Sequence, residues 1–212
     1  MRLTNLFRYV SGTLNLASNQ LNGVVPNISN MIHLVNLHLF ENAFSGSIPE
    51  AIQQLQSLEV LFLSSNQFTG SIPSSIHRLG RTLRGLYLSD NQITGTIPDE
   101  ICTFGALEAL FLDTNKLVGS IPPCFGDLIE LEQLFLFQNQ LSGTVPPSLQ
   151  ELRKLSGLGL EQNNLVGEMP DDVCGLVENF SLDIWADCVD QFGSDPLLCS
   201  CCSVCCPSDE CS

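Results

Sequence analysis

The chain has 212 residues, 44% of them hydrophobic, which is enough apolar material for an extended core. Eight Lys and Arg stand against 23 Asp and Glu, a formal net charge of −15 that excludes nucleic acid and anionic membrane surfaces as natural partners and favours a neutral or basic protein or peptide. No run of about 18 apolar residues occurs, so no membrane-spanning segment is expected in this chain.

Residues 1–13 read as an irregular N-terminal segment, in which Leu3, Leu6, Phe7, Tyr9 and Val10 are apolar but out of register with the rest of the chain. From Leu14 onward one frame recurs, centred on Asn19, Asn42, Asn66, Asn91, Asn115, Asn139 and Asn163 at intervals of 23 to 25 residues. Leucines five and three residues before each Asn, such as Leu110 and Leu112, share one face of a short strand and point into a common core. Each Asn stands where the chain turns inward, and a buried amide there can bridge backbone groups of its own and the neighbouring coil. Stacked coils then build an Asn ladder. A Gly at plus four suits a turn with positive φ, and a Pro at plus seven fixes φ before the convex segment.

After Asn163 the frame continues in degraded form. Val173 and Leu176 hold core offsets, Leu182 and Ile184 stand for the paired leucines and Asp187 for the Asn, which predicts an eighth, terminal coil. The resulting division is a repeat array over residues 14–174, then a degenerate coil and Cys-rich cap over 175–212.

This frame resembles the leucine-rich repeat family. Its Gly-x-Ile-Pro half, as in Ser47-Ile-Pro49 and Ser120-Ile-Pro122, is similar to the plant-type subclass. The segment from Ala186 to Cys206 resembles the endings of leucine-rich repeat proteins from diatoms and related algae. The resemblance implies a right-handed solenoid of α/β type, with a parallel β-sheet on the concave face and short 3-10 or irregular convex segments. It also implies a non-catalytic binding module of the kind found in receptors and enzyme inhibitors. Plant-type relatives usually protect the first coil with a cysteine-bearing segment, and residues 1–13 contain no cysteine.

Residues flanking the paired leucines should face the concave solvent. At four before the Asn stand His38, Phe62, Tyr87, Phe111 and Phe135, and at two before it Phe40, Phe137 and, in the terminal coil, Trp185. Aligned on adjacent strands, these rings form an aromatic row suited to a contact surface. Asp90, Glu108, Asp113 and Glu132 join Glu41, Glu59 and Glu161 as acidic flanks, with Arg84 as the fixed positive charge nearby. An aromatic floor with acidic flanks suits a ligand carrying Lys or Arg. The competing reading is structural: Phe and Tyr favour strands, and carboxylates confer solubility. A different alternative is a surface protein that binds glycan or ice through the row Ser47, Ser71, Thr96, Ser120 and Thr144.

Ten cysteines fit an oxidising, extracellular or cell-surface setting. Met1 to Tyr9 lacks the apolar middle of a signal peptide, so a leader and further coils outside this chain are expected. Cys174, Cys188, Cys199, Cys201, Cys202, Cys205, Cys206 and Cys211 are candidates for disulfides that cap the last coil; a zinc site or a redox pair within Cys199 to Cys205 are weaker alternatives. Cys102 and Cys124, on adjacent convex segments, are left open as free or paired. Asn27 and Asn179 head sequons for glycosylation. No catalytic constellation, phosphate loop or metal-ligand set emerges, and no enzyme activity, metal or cofactor is expected.

Overall fold

The structure, a computed structural model, describes residues 12–79, 81–187 and 197–206, excepting the side chains of Leu198, Cys205 and Cys206. Among these residues the main sheet holds nine parallel strands, one per coil. In order they are Gly12–Asn15, Leu34–His38, Val60–Phe62, Gly85–Tyr87, Ala109–Phe111, Gln133–Phe135, Gly157–Gly159, Asp183–Asp187 and Val204–Cys206. The first strand thus begins inside the segment expected to be irregular, of which residues 1–11 lie outside the described residues.

Register sets Leu37, Leu61, Leu86, Leu110, Leu134, Leu158 and Ile184 side by side in one column. All are at most 1% exposed. Because alternate strand residues face opposite ways, that column fixes the residues between the leucines on the concave surface.

Opposite the inward turn runs a second parallel sheet of seven strands, absent from the expectation of irregular segments. Its members include Ala43–Ser47, Gln67–Gly70, Gln92–Thr96 and Lys116–Gly119. In Gln67–Gly70 only Phe68 is buried, so one residue per strand anchors it to the core. Gly119, at φ +84°, ends its strand so close to the preceding coil that an added Cβ would lie 2.9 Å from Thr96 Cγ2. The five convex segments from Glu50–Gln54 to Pro147–Glu151 each make a 3-10 turn, as in Asp99–Thr103, where Pro98 at φ −75° sets the entry and Ile101 is buried.

Between residues joining the two sheets sits the Asn ladder. Asn115 Nδ2 donates to the main-chain oxygens of Leu88 (2.9 Å), Leu112 (3.2 Å) and Asp113 (3.0 Å), and Oδ1 accepts from Ile93 N–H at 3.0 Å. Asn42, Asn66, Asn91, Asn139 and Asn163 repeat the arrangement. The side chain of Asn19, in the first described coil, is exposed and donates to the Leu16 and Ala17 oxygens of its own coil.

The last repeat departs from the frame. An α-helix, Asp171–Phe180, replaces the 3-10 turn, so Ile184 rather than Leu182 pairs with Leu158, and Trp185 aligns with Gly159. The expected register, with Asp187 in the Asn position and Trp185 in the outer column, is therefore off by two residues. Pattern alone could not separate the choices, because Leu182 and Ile184 are both buried. Asp187 still closes the array: its carboxylate accepts from the main-chain N–H of Gln162 (2.8 Å) and Asn163 (3.3 Å). In the preceding coil the equivalent donor, Asn139 N–H, is taken by a backbone oxygen, that of Gln162.

Past the helix, Leu197–Leu198 pairs with Gly167–Glu168 and Val204–Cys206 with Asp183–Asp187, covering the last edge. The disulfide Cys174–Cys201 ties this cover to the helix, and Cys199–Cys202 closes a short loop within the cover itself. The second bond occupies two of the zinc alternative's three thiols, Cys199, Cys202 and Cys205, and one member, Cys202, of the redox pair Cys202 and Cys205. Cys188 and Cys211 lie outside the described residues. A third disulfide, Cys102–Cys124, joins adjacent convex turns.

Candidate functional site

Strand register brings His38, Phe62, Tyr87, Phe111 and Phe135 into one line across the concave face. Each ring is half-buried. Centroids lie 4.6 Å apart for Phe62 and Tyr87, 5.0 Å for Tyr87 and Phe111, and 4.6 Å for Phe111 and Phe135. Phe40 stands beside Phe62 at 4.4 Å, and Phe137 is 6.1 Å from Phe135. The row is possible because the residue two before the ring is often small: Tyr87 lies back over Gly85, where an added Cβ would meet its Cε2 at 2.5 Å.

At Gly159 the line has no side chain, and Trp185 resumes it one strand later, 6.1 Å from Phe135. Phe135, Phe137, Gly159, Glu161 and Trp185 enclose a recess of about 190 Å3 around the missing rung. Sequence reasoning named three of these five as contact residues and Glu161 as an acidic flank, but gave Gly159 no role. Gly159, in a column otherwise rich in Phe, was the available signal.

The acidic flanks divide into two kinds. Asp90 and Glu132 are exposed, and Glu108 pairs with Arg84. Asp113, expected as a solvent-facing flank, is only 7% exposed: Ser89 Oγ donates to it at 2.6 Å and holds it against the sheet. Burial raises its pKa, against the opposing hydrogen bonds from Ser89 and Thr114. Glu161 is 9% exposed and its pKa is raised by burial first, with the charges of Asp187 and Asp113 adding to the shift. Burial, then the charge of Glu108, raises the Tyr87 phenol.

Away from this face, Ser47, Ser71, Thr96, Ser120 and Thr144 are all exposed along the second sheet. Asn27 is exposed and its Oδ1 accepts from Ser29 N–H at 2.9 Å; Asn179 is exposed near the end of the helix, donating to Gly175 oxygen at 2.7 Å. No helix among the described residues is long and apolar enough to cross a membrane.

The leucine-rich repeat model matches residues 33–55, 57–79, 82–104, 106–128 and 130–152, more than half of the chain. No curated protein sequence matches significantly. Among solved structures, the ectodomain of the Arabidopsis thaliana receptor kinase GASSHO1/SCHENGEN3, in complex with Casparian strip integrity factor 2, is 30% identical with a TM-score of 0.77; the match covers 90% of this chain and 26% of that one. The Arabidopsis receptor kinase HAESA, in complex with the peptide hormone IDA and the co-receptor SERK1, is 33% identical with a TM-score of 0.74, over 82% of this chain and 30% of that one. A plant peptide hormone receptor, RGFR1 in complex with RGF2, is 33% identical with a TM-score of 0.71, over 87% and 33% of the two chains. The chain thus spans a third or less of the length of these receptor chains. On its repeats and these likenesses, the chain belongs to the leucine-rich repeat family, in its plant-type form.

Proposed function

We propose that this chain is a peptide- or protein-recognition module acting at the cell surface or outside the cell, with the concave aromatic row as its contact surface. The observation that carries this reading is the line of half-buried rings from His38 to Phe135, each within 6.1 Å of the next. Open aromatic surface of this extent is costly to leave in water and is the usual material of binding hot spots. Support comes from the solved likenesses, receptors in complex with peptide hormones among them. Three disulfides among the described residues support the extracellular setting. The net charge of −15 favours a neutral or basic ligand.

Panning the full chain against a displayed random-peptide library tests the proposal. Selected peptides should be enriched in Lys or Arg, and binding should fall at least tenfold in Phe62→Ala and Phe111→Ala. Peptides that bind both variants like the wild type, but lose affinity when Thr96 on the second sheet is changed to Lys, would instead place recognition on the Ser/Thr row.

A further inference from the structure

We infer that the recess at the missing rung is a cation cage that takes one Lys or Arg side chain of the ligand; this deepens the concave-face reading and rests on it. The walls are three aromatic rings, Phe135, Phe137 and Trp185, and among the described residues the only side-chain charge lining it is Glu161. Aromatic faces attract a cation through the ring quadrupole, most strongly where water is excluded, and indole attracts it best.

Glu161 supplies the carboxylate of the cage. Its Oε2 is buried and has no hydrogen-bond partner among the described residues. That oxygen lies 3.5 Å from where a Cβ on Gly159 would stand, so it borders the space the glycine leaves open. A buried carboxylate oxygen without a partner is costly, and it is retained where something outside the chain completes it. Lys154, just before the strand Gly157–Gly159, is committed to Glu130. The charges of Asp113 and Asp187 act on Glu161 and add to the attraction for a cation.

Size selects the kind of ligand. About 190 Å3 falls below the roughly 300 to 1,000 Å3 typical of small-molecule sites, and suits the end of one side chain. Filling the rung would close it: on Gly159 a Cβ would meet Phe137 Cδ1 at 3.0 Å and Phe135 Cδ1 at 3.1 Å. The aromatic row leads directly to this recess, so a peptide lying on the row would present one basic side chain at its end.

Trp185 is the only tryptophan of the chain, so its fluorescence reports on the cage alone. Titration of the full chain with Nα-acetyl-lysine N-methylamide, and separately with the arginine equivalent, should give a saturable change in the millimolar range for at least one of them. The norleucine equivalent, which has the same stem and no charge, should not. Glu161→Gln and Gly159→Ala should each weaken the response tenfold or more, while Glu151→Gln, exposed on a convex turn away from the concave face, should leave it unchanged. Thermal melting of each variant checks that it is folded. An equal response to norleucine, no saturable response, or an unaltered Glu161→Gln protein would overturn the cage. If peptides still bind through Phe111 while these probes fail, only the cage is wrong. If the probes bind but no ligand depends on Phe111, the cage stands and the wider contact surface is wrong.

Discussion

Asn115 Nδ2 donates to the main-chain oxygen of Leu88, 2.9 Å away in the preceding coil, and so fastens one turn of the array to the next at its inner corner. The same amide serves Leu112, Asp113 and Ile93. Asn115→Ala removes all four bonds and leaves buried backbone groups unpaired, at a cost of about 1–3 kcal/mol. The exposed Asn19, whose amide donates within its own coil, should cost less when changed to Ala. Urea denaturation of the two variants measures the difference; equal midpoints would show that cross-coil bonding adds nothing.

The bond between Cys102 and Cys124 closes a loop of 22 residues across two convex turns. In the chain-entropy account, such a loop is worth about 3 kcal/mol. Cys102→Ser with Cys124→Ser should lower the denaturation midpoint, and alkylation of the unreduced, denatured wild type should leave both residues unlabelled. Efficient labelling of either would contradict the pairing.

Glu161 gives a pH prediction whose sign is set by burial. Its folded pKa is raised, so the native state holds the proton more tightly than the unfolded chain does. The stability this contributes is complete below the ordinary glutamate pKa of about 4.3 and is lost as pH rises through the raised value. Glu161→Gln keeps the neutral form at every pH. Its melting temperature should therefore match the wild type below the ordinary glutamate pKa of about 4.3, exceed it increasingly as pH rises above that, and level off once pH has passed the raised value. A constant offset across that range would mean that Glu161 ionises as freely as in water.

Legibility in the sequence depended on where repetition carries information. The leucine column, the Asn positions and the glycines at positive φ recur from coil to coil, and each recurrence has a steric or hydrogen-bonding cause that is the same in every coil. The second sheet left no such trace: in Gln67–Gly70 a single buried Phe68 looks the same in a turn as in a strand. Nor did the left-handed residues before each Asn, among them Glu41, Asp90 and Thr114 at φ 52–53°, since none is a glycine. In the terminal coil the helix Asp171–Phe180 broke the spacing, and with it the placement of Trp185. The recess was hidden for a related reason. It is made by what Gly159 lacks, and its acidic wall lies beside a ring from the strand before.

Binding energy on the concave face should be uneven. Phe111 sits between Tyr87 and Phe135, at 5.0 and 4.6 Å, and is shielded on both sides along the row, whereas Asp90 is exposed at its margin. Central, desolvated aromatic residues carry most of an interface's energy, and marginal charges act mainly on encounter. For a peptide isolated by panning, Phe111→Ala should weaken binding by about 2 kcal/mol or more, chiefly through faster dissociation. Asp90→Ala should slow association at low salt and lose that effect near roughly 1 M, where the screening length is about 3 Å. Glu108→Ala should do less, because Glu108 is already neutralised by Arg84. Glu151→Ala, exposed on a convex turn, should change neither rate. Surface plasmon resonance at two salt concentrations separates the rates. An Asp90 effect that survives high salt, or a Phe111 effect confined to association, would mean that the ligand is held by charge and not by the rings.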